Sequence, residues 1–497
     1  MTDVLTSTVE TLARSGLFIG GSWTAAAAGG VYQTVNPADR SVIAEVANGT
    51  AADIEAAVQA ARQAFDRGSW PRLSGHERAR VLFAVADLIE RDSEEIATLD
   101  TLEMGKPISS TRAEVAAAAA IYRYYAGLAG DLSGSTHSPV GNGFVYTLRE
   151  PIGVIGAITP FNAPLVLATS KLAPALAAGN TVVHKPSDTT PLSALKIARL
   201  FVEAGLPEGV LNVVPGTGAG PGIALVAHPA VDKIAFTGST GVGQQIIKAS
   251  ADTFKKVSVE LGGKSANIVF ADAYLDQAIA DAFFGVFYTS GQLCVAGSRL
   301  LVQRPVYDQV IEGLVKTAES FQPGDPMDPA TLIGPLAHQA QFDRVSDYVR
   351  LGRLEGAELV TGGHPAHPQG FESGWFYAPT IFSNVRNDMR IAQEEIFGPV
   401  LGVIPFDTEE EAVAIANDSE FGLASGVQTA DIKRAHRVAA AMRAGGCWIN
   451  TYNQWDQSIS FGGRKASGYS RELGIGTLHA YTESKSVWVG LQSQPEG

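Results

Sequence analysis

Residues 150–186, EPIGVIGAITPFNAPLVLATSKLAPALAAGNTVVHKP, are the stretch that decides the fold. An apolar run comes first, a polar break at 161–164 follows, and an Ala- and Leu-rich helical segment leads into a second apolar run. The predicted strands of this region lie at 150–160, 180–185, 210–214 and 231–236, and the predicted helices at 165–178, 190–204 and from about residue 244. Strands that alternate with helices in this way predict a parallel, doubly wound α/β sheet with helices on both faces.

The flanking sequence extends the α/β pattern in both directions. Short strands are expected within 17–47, and apolar side chains at three- and four-residue spacing predict helices. The further elements are expected as helices at 51–66, 75–101, 113–129, 409–416 and 431–442, and as strands at 379–382 and 400–406. Residues 450–474 form a long polar, Gly-rich loop, and structureless loops of that length in compact domains are usually functional. The segment TESKSVWVG at 482–490 alternates like a strand whose edge another chain or domain would have to cover.

Length and composition restrict the class of protein. The 497 residues are too many for one core and predict two or three domains. A formal net charge of -14 argues against nucleic acid or an anionic membrane as the main partner, because both require a basic face. The chain has only 2 cysteines, no basic region followed by an apolar run at its start, and no apolar run of the ~18 residues that span a bilayer. We therefore expect a soluble, cytoplasmic protein. No cluster of His, Cys or carboxylates has ligand spacing, so no metal site is predicted.

Two glycine-rich loops follow predicted strands, at 216–222 and 238–243. Neither fits the dinucleotide-binding pattern G-x-G-x-x-G. In the second loop, backbone N–H groups at a helix N-terminus and the Ser239 and Thr240 hydroxyls could meet a phosphate. Taken alone, this motif is weak, and an ordinary turn is the more frequent explanation.

A cysteine and a glutamate mark the candidate chemistry. Cys294 lies in the Gly- and Ser-punctuated segment GVFYTSGQLCVAGSR, residues 285–299, which suits a loop that carries a side chain into a cleft. Glu260 ends the alternating strand of VSVELGGKS, residues 257–265, where a Gly-Gly pair breaks the strand. A thiol and a carboxylate at the edges of apolar elements are a candidate nucleophile and a candidate general base. Without further context, Cys294 is better explained as a small buried core residue.

Seven stretches together resemble the aldehyde dehydrogenase superfamily, in the expected order and over nearly the whole chain. They are EPIGVIGAITPFNAP (150–164), KLAPALAAGNTVVHKPSD (171–188), FTGSTGVG (236–243), VELGGK (259–264), GQLC (291–294), EEIFGPV (394–400) and FGGRKASGYSRELG (461–474). The resemblance implies an α/β fold with a Rossmann-type cofactor domain, an α/β catalytic domain and a small β unit for oligomerisation, in a homodimer or homotetramer. The implied bounds are 1–128 and 150–262 for the NAD(P)-binding domain, 263–465 for the catalytic domain, and 129–149 and 478–491 for the oligomerisation strands.

The resemblance also implies a covalent mechanism. Cys294 would attack the aldehyde carbon, and the Asn162 side-chain N–H and the backbone N–H of Cys294 would stabilise the oxyanion. An oxyanion donor of this kind lowers the barrier by ~3 kcal/mol. Hydride would then pass to the nicotinamide, and Glu260 would activate the water that hydrolyses the remaining thioester. Cys447 matches no catalytic position and is expected in the core.

Cofactor-binding residues are implied in the same way. Lys185 would hold the adenosine-side ribose, Ser239 the pyrophosphate and Glu395 the nicotinamide ribose, with Phe397 packed beside the ring. Close backbone approach is expected at Gly216 and Gly263.

The chain departs from the family pattern at three positions. Phe161 stands where many members have tryptophan, which widens the entrance, and Leu293 replaces a second cysteine, so no vicinal disulfide can form there. Asp188 stands where many members have glutamate. A carboxylate there accepts hydrogen bonds from the ribose 2′-hydroxyl and repels a 2′-phosphate, which favours NAD. NADP stays possible, because aspartate is one methylene shorter.

The substrate pocket implied by the resemblance is apolar and partly aromatic. Its lining is expected from Phe161, Leu167, Ser170, Tyr288, Leu293, Val295, Trp455, Ile459 and Phe461. This set suits a medium aliphatic or aromatic aldehyde, while Trp455 with Asp456 permits a cationic aminoaldehyde. Arg299 is a weak pointer to an acidic semialdehyde. A CoA-acylating semialdehyde dehydrogenase is an alternative that Glu260 disfavours, and an inactive structural homologue is a more remote one.

Overall fold

The computed structural model describes residues 9–12, 16–139 and 142–491. The strands are β1 (Leu17–Ile19), β2 (Ser22–Thr24), β3 (Val31–Val35), β4 (Val42–Ala47), β5 (Thr136–His137), β6 (Gly143–Pro151), β7 (Val154–Ile158), β8 (Thr181–Lys185), β9 (Leu211–Val213), β10 (Lys233–Thr237), β11 (Lys256–Glu260), β12 (Ala266–Val269), β13 (Arg299–Gln303), β14 (Glu358–Thr361), β15 (Thr380–Ser383), β16 (Val400–Phe406), β17 (Ser425–Gln428), β18 (Trp448–Ile449), β19 (Gly468–Tyr469) and β20 (Thr482–Gly490). The helices are α1 (Ala51–Asp66), α2 (Gly75–Arg91), α3 (Ser93–Met104), α4 (Ile108–Leu128), α5 (Pro164–Ala177), α6 (Leu192–Glu203), α7 (Gly220–Ala227), α8 (Thr240–Ala251), α9 (Leu275–Phe287), α10 (Tyr307–Ser320), α11 (Gln339–Leu354), α12 (Arg390–Gln393), α13 (Glu409–Asn417), α14 (Ile432–Ala441) and α15 (Gly474–Ala480). Short 3-10 turns lie at Trp70–Arg72, Tyr288–Gly291, Arg304–Val306 and Lys465–Ser467.

The first large sheet has the strand order β19-β11-β10-β7-β8-β9-β1-β2 within the described residues. From β11 to β9 the strands run parallel. Side chains alternate between two cores: Ile155 and Val182 pack on one face, and Val154 and Val183 on the other. Helices cover both faces, as the sequence predicts for a doubly wound α/β fold.

The second large sheet has the order β14-β15-β16-β13-β12-β17-β18. Its strands from β15 to β18 also run parallel, and only β14 is antiparallel. The nucleophile segment 285–299 runs from the end of α9 to the start of β13, an inner strand of this sheet.

A small third sheet has the order β20-β6-β5. Strands β20 and β6 pair antiparallel along their whole lengths, from Thr482 opposite Pro151 to Gly490 opposite Gly143. In this chain β20 is an edge strand, and Trp488 on it is 71% exposed. The predicted strand at 482–490 therefore forms, and its outer edge is open in the single chain.

Several boundaries differ from the sequence-based expectation; for example, the helix expected at 113–129 begins at Ile108, and the strand expected at 150–160 is limited to Val154–Ile158. The helix expected from about residue 244 begins at Thr240, because Ser239 is its N-cap and its hydroxyl accepts a hydrogen bond from the Val242 N–H at 3.5 Å. The single helical region expected at 75–101 is two helices that meet at Asp92. The loop expected at 450–474 contains β19, which pairs with the end of β11.

Two kinds of feature are absent from the part of the chain that the structure describes. No helix there is long and apolar enough to cross a membrane. No group of three or more His, Cys, Asp or Glu side chains there could hold a metal ion.

Candidate active site

The backbone before Cys294 is held in an unusual conformation. Thr289 and Ser290 have φ values of 51° and 58°, and Gly291 follows with φ 71°. Left-handed conformations at two consecutive residues with side chains cost free energy, and such strain concentrates at functional sites. The Ser290 hydroxyl donates to the Gly334 carbonyl at 2.7 Å, which helps to fix the turn. The backbone conformation of the turn that precedes Cys294 is therefore fixed.

The Cys294 thiol lies beside two carboxylates in a buried setting. Burial, with smaller contributions from Glu395 and Glu260, raises the pKa of the thiol to about 12. The backbone N–H groups of Cys294 and Val295 oppose the rise, because they hydrogen-bond to the sulfur. In the free protein the cysteine is thus a neutral thiol, and ionisation needs a base.

Asn162 is buried, and its side-chain amide donates to the Gln292 carbonyl at 2.9 Å. A side-chain amide has two N–H donors, so one remains for another acceptor. Gln292 is itself held, because its Oε1 accepts from the Ala337 N–H at 3.0 Å. Gln292 lies two residues before Cys294, and the sequence patterns gave it no role. In the structure its carbonyl oxygen holds the Asn162 side chain in place.

Glu260 ends β11 between two neighbouring strands, β10 and β19. It is 3% exposed, and its Oε2 accepts from the Gly463 N–H at 3.3 Å. Its Oε1 has no hydrogen-bond partner among the described residues. Burial and then the nearby Glu472 raise the pKa of Glu260 well above its ordinary value, while Lys171 opposes the rise. The carboxyl group is therefore set up to take a proton.

A buried network behind Glu260 was not anticipated from the sequence. The Lys171 ammonium donates to Glu472 and to the Thr237 hydroxyl, the latter at 2.6 Å. The Ser170 hydroxyl donates to the other Glu472 oxygen at 2.6 Å. Ser170 was expected in the substrate pocket, and its hydroxyl is instead directed to this network. Lys171 and Glu472 lie in two of the stretches that resemble the family, 171–188 and 461–474. A single sequence gives no sign that residues 301 positions apart are in contact.

A cavity of about 250 Å³ brings several of the predicted site residues together, although Glu260 is not in its lining. Its lining includes Phe161, Asn162, Leu167, Ser239, Cys294, Glu395 and Phe397, together with Pro160, Thr237, Gly238, Leu261, Gly262, Gln341 and Arg344. The cavity joins the nucleophile to the N-terminus of α8, where Ser239 is the N-cap.

The Glu395–Phe397 segment is fixed at the cavity wall. The Gly263 N–H donates to the Glu395 carboxylate at 2.9 Å, and burial raises the pKa of Glu395 to about 7. Gln341 donates to the Phe397 carbonyl at 2.7 Å, and Arg344 donates to the Glu395 carbonyl. The Phe397 ring meets Phe161 edge-on with centroids 5.9 Å apart. Sequence reasoning found Glu395 and Phe397 but not the two side chains that hold them.

Comparison with known proteins identifies the family. The sequence pattern of the Aldehyde dehydrogenase family matches residues 23–487. The chain belongs to the aldehyde dehydrogenase family. It is 45% identical to Aldehyde dehydrogenase 1 of Tanacetum cinerariifolium over 481 residues, which cover 96% of each chain. It is 45% identical to betaine aldehyde dehydrogenase of Bacillus subtilis (strain 168) over 473 residues, 95% of this chain and 96% of the relative. An NAD+ complex structure of aldehyde dehydrogenase from Bacillus cereus superposes with a TM-score of 0.94 at 45% identity, covering 97% and 98% of the two chains. The protein is therefore an oxidoreductase that acts on the aldehyde group.

The remaining cofactor candidates of this aldehyde dehydrogenase lie outside the cavity. The Lys185 ammonium donates to the Pro186 carbonyl at 3.0 Å, and burial lowers the pKa of Lys185 while Asp188 opposes the shift. A Cβ at Gly216 would meet the Gly49 carbonyl oxygen at 2.6 Å, so this glycine is needed for a close approach within the protein itself. Lys185 is the last residue of β8, and Asp188 and Gly216 follow the carboxyl ends of the neighbouring parallel strands β8 and β9.

The expected substrate-pocket residues of this aldehyde dehydrogenase separate into two groups. Leu293 and Phe461 pack beside Cys294. Phe461 also meets Trp455, which is 48% exposed, with ring centroids 4.7 Å apart. Tyr288 lies beside α4 instead. Burial raises its pKa, a hydrogen bond with Ser110 of α4 opposes the rise, and the charge of Glu114 of α4 adds to it. None of Tyr288, Leu293, Trp455 and Phe461 lines the cavity described above.

Proposed function

We propose that this protein oxidises an aldehyde to the carboxylic acid with NAD as the hydride acceptor, through a covalent intermediate on Cys294. The observation that carries the proposal is that Cys294 and Asn162 line one cavity, and that the charge of Glu260 acts on the pKa of the Cys294 thiol. The three groups are a loop-borne thiol, an asparagine amide with one N–H to spare, and a buried carboxylate with one oxygen unpaired among the described residues. Together they supply a nucleophile, an oxyanion donor and a base.

The residues around the cavity fit a dinucleotide. The Ser239 hydroxyl and the first N–H groups of α8 suit a pyrophosphate. The Glu395 carboxylate in the cavity lining suits the hydroxyls of a ribose. Lys185 and Asp188 would hold the second ribose, and the Asp188 carboxylate would disfavour a 2′-phosphate, so NAD is preferred over NADP. The Bacillus cereus relative was solved as an NAD+ complex. When bound, NAD supplies a hydride acceptor.

Attack and oxidation follow from the first two groups. The Cys294 thiol gives its proton to a base, and the sulfur forms a bond to the aldehyde carbon. The carbonyl electron pair moves to the oxygen, where the free Asn162 N–H and the backbone N–H of Cys294 donate hydrogen bonds. Collapse of this thiohemiacetal expels hydride and leaves a thioester on the sulfur.

Hydrolysis follows from the third group. Glu260 takes a proton from water, and the resulting hydroxide attacks the thioester carbon. The carbon–sulfur bond breaks, the acid leaves, and the Cys294 sulfur is restored. Lys171 and Glu472 act behind Glu260, since the charge of Glu472 makes Glu260 a better proton acceptor and Lys171 limits that effect.

A medium aliphatic or aromatic aldehyde is the proposed substrate class. Phe461, Leu293 and the half-exposed Trp455 give an apolar, partly aromatic approach to Cys294. A cationic aminoaldehyde is the second candidate, because Asp456 follows Trp455 and the Bacillus subtilis relative is a betaine aldehyde dehydrogenase. The semialdehyde and CoA-acylating alternatives have no such support, and Glu260 favours water as the acyl acceptor.

The assembly and location are proposed on separate grounds. The open edge and exposed Trp488 of β20 favour a homodimer or homotetramer through the oligomerisation strands at 129–149 and 478–491. The cofactor domain would span 1–128 and 150–262, and the catalytic domain 263–465. Both cysteines are free, which supports a cytoplasmic location.

The test is reduced-nicotinamide formation by the purified protein. A panel of short and long aliphatic, aromatic, amino-substituted and carboxylated aldehydes is run with NAD and with NADP, without CoA. We expect turnover with NAD and an apolar aldehyde, and none in Cys294→Ala, which should still bind NAD. Turnover only after CoA is added would replace hydrolysis by acyl transfer, and equal turnover in Cys294→Ala would refute the covalent mechanism.

A further inference from the structure

A small cleft with four cationic side chains lies away from the active site. It lies beside the amino-terminal ends of β12, β13 and β17, which are inner strands of the second sheet. Its charged lining consists of Lys264, Arg299, Arg443 and Lys465. It shares no lining residue with the cavity that contains Cys294. The cleft is therefore a separate feature that the proposed reaction does not use.

None of the four cations forms a salt bridge within the part of the chain that the structure describes. Arg299 donates to the neutral carbonyl oxygens of Lys264 at 3.0 Å and Ala416 at 2.8 Å. The Lys465 ammonium donates to the carbonyl oxygens of Asn417 at 3.0 Å and Ser419 at 2.7 Å. Neutral acceptors fix the geometry of these side chains, and Asp418 acts on Arg299 and Lys465 only from beyond ion-pair distance.

Lys264 is the least satisfied member of the cluster. It is 2% exposed, and it forms no salt bridge among the residues described. A buried ammonium without a partner is unfavourable, so such groups are normally paired. Burial and then Arg299 lower the pKa of Lys264 to about 7; Arg344 also lowers it, and Glu395 and Glu394 oppose the shift. After burial, the charges of Arg299 and Arg443 likewise lower the pKa of Lys465, and Asp418 opposes them.

We propose that this four-cation cleft binds a small monovalent inorganic anion of the chloride class. One negative charge among these side chains would offset part of the repulsion between them, and it would favour the charged form of Lys264 by giving its ammonium a partner. The volume of about 10 Å³ favours a single small ion over a larger ligand.

Bromide diffraction tests the site directly. Bromide replaces chloride in crystals of the whole enzyme and has an anomalous signal. We expect a bromide peak in the cleft within hydrogen-bonding reach of the Lys264 amine. Thermal unfolding in sodium chloride is compared with unfolding in sodium gluconate, whose anion is too large, at equal sodium concentration. Saturating chloride should raise the Tm by about 2 °C.

Arg443→Gln is the variant of choice, because Arg443 is exposed at the rim and lies outside the catalytic machinery. It should weaken the bromide peak and raise the chloride concentration for half of the Tm shift by at least about threefold. Arg350→Gln is the matched control, since Arg350 is an exposed arginine paired with Asp347, and it should leave both readouts unchanged. A wild-type cleft without bromide, or the same chloride response in Arg443→Gln and the wild type, overturns the proposal.

Discussion

Gly263→Ala is the sharpest test of how the nucleophile loop is held. A Cβ at position 263 would collide with the backbone carbonyl oxygen of Cys294 and would lie 3.4 Å from the Leu423 Cβ. The Gly263 N–H meanwhile donates to Glu395 at 2.9 Å, so the residue cannot simply move away. The φ of Gly263 is not positive. The substitution is therefore expected to act through a steric clash with the Cys294 carbonyl oxygen and not through backbone strain.

The structure sets the size of the effect. Forcing one methyl group into a packed site costs about 1–3 kcal/mol of unfolding free energy. The atom that has to shift belongs to the nucleophile itself, and a displacement of about 1 Å costs about 100-fold in rate. We therefore expect kcat/KM for the aldehyde to fall about 100-fold, with a modest loss of stability.

The assay measures reduced-nicotinamide formation, thermal unfolding and the rate of Cys294 alkylation by iodoacetamide. Gly476→Ala is the matched control, because a Cβ there meets nothing within 4 Å and the residue lies in α15. Its kcat/KM should equal that of the wild type. A folded Gly263→Ala enzyme with kcat/KM within threefold of the wild type would refute the steric reasoning.

Three further predictions concern the reacting groups. Asn162→Ala should lower kcat about 100- to 1000-fold with little change in KM, and steady-state kinetics that show a loss below tenfold would assign the oxyanion to the backbone alone. Glu260→Gln should keep the first turnover and lose the steady state, which rapid mixing separates; an unchanged steady state would mean that another base acts. Because burial raises the pKa of Cys294 to about 12, the thiolate fraction, and with it kcat/KM, should rise about tenfold per unit between pH 7 and 9. A kcat/KM profile that is level across that range would show that the thiol ionises more easily in the working enzyme.

Local patterns predicted the regular elements well. The helix at 51–66 was expected at its observed bounds, since its apolar face is periodic and Thr50 and Asp53 form a capping box at its start. The strand at 400–406 is an apolar run that ends at a capped helix, and it also agrees. The helix at Thr240 begins earlier than expected, because glycines near its start weaken the periodicity while the Ser239 cap decides the boundary.

Long-range geometry was beyond the sequence. Cys294, Asn162 and Glu395 were assigned from the family resemblance, and only the fold brings them to one cavity. The contact of Lys171 with Glu472 joins an early helix to a late turn, and no local periodicity contains that information. The position of Tyr288 depends on the left-handed turn that follows it, which its neighbours in sequence do not indicate.

The pairing of β19 with β11 has a consequence for biosynthesis. Glu260 lies on an inner strand only after Gly468 and Tyr469 have joined the sheet, and Glu472 arrives in the same segment. A nascent chain that ends near residue 465 already contains the thiol, the asparagine amide and the whole second sheet. It still lacks the strand and the carboxylate that enclose the base. The surroundings of Glu260 are therefore completed late in the order of the chain, by residues 468–472, after every strand of the second sheet has been synthesised.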